Sequence, residues 1–78
     1  MIRHYDFGMT KNEAKSIDGK VVTVSTASDA MIGEPERYFS RVRTMLTGHI
    51  LLLLADGEPG PPDQVYIDLI RTVEVHDS

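Results

Sequence analysis

The sequence predicts a small, mainly β domain, and three stretches carry that expectation. Residues 20–26 (Lys20, Val21, Val22, Thr23, Val24, Ser25 and Thr26) are rich in β-branched side chains, which fit a pleated, half-buried surface. Residues 49–55 hold Ile50 and then Leu51, Leu52, Leu53 and Leu54, a run of strand length with neither face polar, as in a strand buried on both sides. Within 64–75, Val65, Ile67, Leu69, Val73 and Val75 occupy alternate positions, with Tyr66, Asp68, Thr72 and Glu74 between them. That period of two belongs to a strand with one wet face. Ile70 is the apolar exception, and a bend is expected near Ile70 and Arg71.

At 78 residues the chain reads as one domain over 1–78. A domain this short buries only about 60% of the surface its unfolded chain exposes, so packing between copies is an expected source of stability. Cysteine is absent, which excludes disulfides and thiolate zinc sites. Twelve acidic against eight basic residues is the wrong balance for a general DNA coater, so any nucleic-acid contact must come from a local patch. No stretch approaches the roughly 20 apolar residues a bilayer span needs, and the first residues have no apolar run of signal-peptide type. A cytoplasmic location without membrane contact is therefore expected.

From the N-terminus, 1–9 reads as an arm or edge strand. Thr10 and Glu13 fit a capping box, in which each side chain takes the other residue's backbone N–H. A short surface helix over 11–16 follows. Asp18 and Gly19 signal a turn before the strand at 21–26. Residues 27–36 form a loop. The next segment, 35–47, supports two readings. Tyr38, Phe39, Val42, Met45 and Leu46 follow helical spacing; Pro35 suits a first turn and Gly48 a C-terminal cap. A strand is the other reading, with Val42, Thr44 and Leu46 facing one way. Residues 56–63 carry Gly57, Pro59, Gly60, Pro61 and Pro62 and form a hairpin loop, because proline cannot donate to a ladder.

Residues 37–54 and then Gln64, Val65, Tyr66, Ile67, Asp68, Leu69, Ile70, Arg71, Thr72 and Val73 resemble the Sm and Sm-like family. The strongest piece is Val65 and Tyr66 followed by Ile70, Thr72 and Val73. The resemblance implies a five-stranded, strongly bent SH3-type barrel after a short helix at 11–16. Its strands would lie near 21–26, 38–47, 49–55, 64–69 and 71–75. It implies a homo-oligomeric ring of about five to seven copies, in which the fourth strand of one copy pairs with the fifth of the next, leaving no open edge. It also implies single-stranded RNA as ligand. At the turn before the apolar strand this chain has Thr47, Gly48 and His49, of which His49 retains a flat ring able to stack. After Tyr66, Ile67 and Asp68 replace the basic or glycine-containing pair of the family, and the Asp68 carboxylate repels phosphate.

Arg37, Tyr38, Arg41 and Arg43, with Phe39 among them, form the basic stretch with interleaved aromatics. Guanidinium groups on phosphate and rings on bases make a single-strand site; an amphipathic element with solvated arginines is the plainer reading. His49 and Tyr66 complete the candidate nucleic-acid residues. His4 with Asp6 and His76 with Asp77 are too few and too scattered for the three or four ligands of a metal site. Asp56, Gly57, Glu58 and Asp63 lack EF-hand spacing. Pro59 and Pro62 fit a minimal polyproline ligand, though a stiff connection explains them as well. Ser25, Ser28 and Ser40 have no neighbouring base or orienting group in sequence. The expectation is a binding protein without cofactor, metal or catalysis. The alternative is a small α+β adaptor or inhibitor, with a helix at 35–47, that meets another protein through its acidic loops.

Overall fold

The capping box at Thr10 forms: the Glu13 N–H donates to Thr10 Oγ1 at 3.2 Å and the Thr10 N–H to Glu13 Oε1 at 3.0 Å. It opens helix α1, Lys11–Ile17, in a computed structural model that describes residues 2–55 and 60–76. The helix is more than a surface turn, because Ala14 and Ile17 are fully buried with Met9 beside them. Thr44, itself buried, ties the helix end to the sheet. Its hydroxyl donates to the Ile17 carbonyl, its N–H to Lys20 O at 3.0 Å, and its carbonyl accepts the Gly19 N–H at 2.9 Å. Asp18 adds a carboxylate oxygen that accepts the Leu46 N–H at 2.9 Å.

Six strands make one antiparallel sheet: β1 (Ile2–His4), β2 (Val21–Thr26), β3 (Tyr38–Thr47), β4 (Ile50–Ala55), β5 (Asp63–Tyr66) and β6 (Ile70–His76). The strand order is β1-β6-β2-β3-β4-β5. One face carries the core: Val22 and Val24, Val42, Leu51 and Leu53, Val65, and Ile70 and Val73 are buried, with Ile67 from the connection. Burial alternates along β2, with Val22 and Val24 inward and Val21, Thr23 and Ser25 half-buried. No helix among the described residues is long and apolar enough to cross a membrane.

The helix considered for 35–47, and with it the α+β fold, is overturned: 38–47 is a strand paired with β2 and β4. The helical spacing has a physical origin. Val22 pairs with Val42 and Val24 with Phe39, so β3 places Ser40 and Arg41 opposite the single Thr23. This β-bulge shifts the side-chain phase by one residue, leaving inward Phe39 and Val42 three positions apart, as helix neighbours are. Tyr38 and Met45 complete the helical pattern but point outward, 71% and 51% exposed.

The barrel expectation is corrected in two respects. Among the described residues the strands number six rather than five, and the sheet is not closed: β1 and β5 are its two edges. The bend of the long C-terminal segment falls at a 3-10 turn over Ile67–Leu69, just before the position expected. That turn restores phase, so Ile70 is fully buried rather than an exception. The additional strand comes from the arm. Ile2, Arg3 and His4 pair with Glu74, Val73 and Thr72, after which Tyr5 donates to Arg71 O at 2.8 Å and Met9 to Ile67 O at 2.9 Å. The 56–63 loop, with its acidic and Pro-x-x-Pro readings, falls largely on residues 56–59, outside the described residues, as does Asp77.

Candidate functional site

The β3 bulge determines which side chains reach the outer face of the sheet beside β2. Arg41 has φ +50°, a left-handed backbone that costs an L-residue with a Cβ about 1–2 kcal/mol. Its N–H donates to Thr23 Oγ1 at 3.3 Å. Ser40 and Arg41 are consequently both exposed, where a regular strand would turn one of them inward.

Tyr38, whose ring is largely exposed, stands between two grooves. The first, about 630 Å³, is lined by Ser25, Thr26, Ala27, Glu36, Arg37, Tyr38 and Arg71. The second, about 280 Å³, is lined by Ile2, Thr23, Tyr38, Ser40, Arg41, Thr72, Glu74 and His76. Both arginines of the first groove are held in place. Arg37 donates to Asp63 Oδ1 at 2.9 Å with its guanidinium 4.7 Å from the Phe39 ring centroid. Arg71 donates to the Asp68 carbonyl at 2.9 Å. Along the floor runs a row of polar groups: Ser25 bonds its cross-strand partner Thr72, and diagonally Thr23 Oγ1 lies 2.7 Å from His76 Nε2. Glu36 and Glu74 place one carboxylate at each groove.

The six candidate residues separate into groups. Arg37, Tyr38 and Arg41 come together around the two grooves. Arg43 does not join them; it faces Val21 and Leu54 across the sheet, and its guanidinium donates to the Gly19 carbonyl at 2.8 Å. Tyr66 lies opposite Ile50 and lines a separate, smaller groove with Glu34 and Gln64. His49 sits in the β3–β4 turn, its carbonyl accepting the Ile67 N–H at 3.0 Å. Sequence reasoning missed Arg71 and the row Thr23, Ser25, Thr72 and His76. For the row the signal was present: its members are the polar partners of the inward valines on β2 and β6, and two polar-faced strands paired together make a polar floor.

The arrangement offers guanidinium donors, an exposed aromatic ring and a line of hydroxyls, which suits a flat ring flanked by hydroxyl or phosphate groups. Among the described residues no three His, Asp or Glu side chains converge as a metal site. No protein-family model, curated protein or solved structure matches the chain.

Proposed function

We propose that this chain is a non-catalytic binding protein of the Sm-like kind, which assembles edge to edge into a ring and holds single-stranded RNA against Tyr38. The observation that carries the RNA reading is the exposed Tyr38 ring between grooves bordered by Arg37 and Arg71 on one side and Arg41 on the other. A base stacks on the ring while guanidinium groups meet the flanking phosphates. Glu74 and the Thr23 and Thr72 hydroxyls accept or donate to ribose 2′-hydroxyls, the group that separates RNA from DNA. The net charge of −4 keeps nonspecific attraction low, so binding relies on these few side chains, and its salt dependence is shallow because few phosphates are neutralised.

The strand order supports the ring. Apart from the arm, β5 and β6 stand at opposite ends of the run β6-β2-β3-β4-β5. One copy's β5 can therefore extend the next copy's sheet at β6 and remove both open edges. In the isolated chain the arm strand β1 lies on that side of β6 and has to yield it. Asp68 and His49, near the 3-10 turn, stay outside the RNA surface, which lies with Tyr38.

Fluorescence anisotropy with labelled oligouridylate and oligoadenylate, at low and moderate salt, tests the ligand. Tyr38→Ala should weaken binding by about tenfold or more, the scale of one lost stack. Arg41→Ala should weaken it and flatten its salt dependence. Arg43→Ala, outside the grooves, should do neither. No binding of either oligonucleotide at low salt overturns the RNA reading. A native mass spectrum tests the ring separately.

A further inference from the structure

The outer face of β4 is apolar and only half-buried. Leu51 and Leu53 point into the core, while Ile50, Leu52 and Leu54 lie half-buried on the opposite face. Their cross-strand neighbours extend the surface: Met45 opposite Leu52, and Tyr66 opposite Ile50, 51% and 46% exposed. A strand facing only water on that side carries polar residues there; two apolar faces belong to a strand covered on both. Among the described residues Glu34 reaches one end of this face, lining a groove with Ile50 and Tyr66, while Met45 remains about half exposed.

A second apolar feature is as exposed and is held rigidly. The loop between β2 and β3 narrows to a hairpin at the antiparallel bridge of Asp29 and Glu34. Asp29 N–H donates to Glu34 O at 2.7 Å and Glu34 N–H to Asp29 O at 3.0 Å. Asp29 Oδ1 accepts the Met31 N–H at 2.9 Å. The hairpin carries at its tip Met31 and Ile32, 96% and 54% exposed. A pre-ordered turn spares the backbone entropy of docking, and thioether and aliphatic groups adapt to an irregular apolar surface. The charges are opposite in sign: the tip is flanked by the carboxylates of Asp29 and Glu34, and the apolar face by Arg43, directly across from Leu54.

We propose that the Met31–Ile32 tip of one copy docks on the Met45–Leu52 face of a second copy, with Glu34 approaching Arg43. The occupant is another molecule of this chain because both complementary halves, apolar and charged, are on its surface. Burial of the face also supplies what a domain of this size lacks alone. The contact is independent of RNA and uses a different surface from the edge pairing proposed above.

The absence of cysteine makes the contact directly readable. Met31→Cys protein is mixed with Met45→Cys protein and mildly oxidised, and Met31→Cys with Lys15→Cys, at an exposed helix position, is the control. All three sites are exposed, so the fold is retained. The docked pair should give disulfide-linked dimer in roughly tenfold excess over the control, from the raised effective concentration. Glu34→Lys on the Met31→Cys protein should abolish that excess, and Arg43→Glu on the Met45→Cys protein should restore it. Equal linking in both mixtures, or none in either, overturns the proposal. A ring in the native mass spectrum without selective linking leaves edge pairing standing and removes the tip contact alone.

Discussion

Gly8 lies against the backbone of Asp68 so closely that a Cβ at Gly8 would overlap the Asp68 carbonyl and Cα. Gly8 also has φ +85°, and both features are needed for the arm to pass the 3-10 turn and enter the sheet beside β6. Gly19 has a nearly equal φ of +81° but open space where its Cβ would be. The two positions separate backbone strain from steric exclusion. Gly19→Ala should cost about 1 kcal/mol, from the left-handed backbone alone. Gly8→Ala should cost about 2–4 kcal/mol, since the overlap adds to that strain. Urea unfolding of both variants measures the difference; equal losses would show that Asp68 yields easily.

Arg41 holds a left-handed backbone that glycine adopts without strain. Arg41→Gly should therefore raise stability by about 0.5–1 kcal/mol, or a melting temperature rise of about 2–8 °C, while weakening RNA binding. Opposite movement of stability and affinity is the mark of strain kept for a ligand. A destabilised variant would mean that the Arg41 side chain contributes more to the fold than its backbone costs.

Thr44 is the buried polar residue that joins helix α1 to the sheet. Thr44→Val preserves shape but removes the hydroxyl that donates to Ile17 O, and leaves that carbonyl in the core without this donor. The expected loss is about 1–3 kcal/mol. Faster hydrogen exchange should appear first at the Ala14 and Gly19 amides, which report the helix and the turn after it. An unchanged melting temperature would indicate that Lys20 N–H, which donates to the same Ile17 carbonyl at 3.0 Å, satisfies it alone.

Much of this architecture was legible because its signals are local. The capping box needs only Thr10 and Glu13, and the strand at 21–26 begins and ends where β-branched composition and turn residues put it. What misled was also local. The bulge at Ser40 and Arg41 gives β3 the spacing of a helix, and only pairing with β2 settles that phase. The depth of Ile17 and the strand pairing of Ile2–His4 were hidden for a related reason. Both depend on partners far along the chain, Thr44 and Glu74, that spacing does not reveal. Of the candidate site, Arg37, Tyr38 and Arg41 were readable as a run of charge and rings. Arg71 was not, because the sheet brings it to Tyr38 from more than thirty positions away.

The arm connects the fold to the proposed ring. While Ile2–His4 is paired with β6, an incoming β5 finds its ladder occupied, and the arm's three exposed residues bring little burial to hold it there. The arm and a neighbour's β5 therefore compete for one edge, and fixing the arm should prevent ring closure. His4 and Thr72 are cross-strand partners, and the chain has no other cysteine to interfere, so His4→Cys with Thr72→Cys can lock the arm by a disulfide. Native mass spectra of the oxidised double variant should show monomer, and reductant should return the assembly of the unmodified protein. A ring that persists with the arm locked would place the copies' contact elsewhere than β6. An unmodified protein that stays monomeric at every concentration would remove the ring itself, leaving the arm as a permanent cover for the sheet edge.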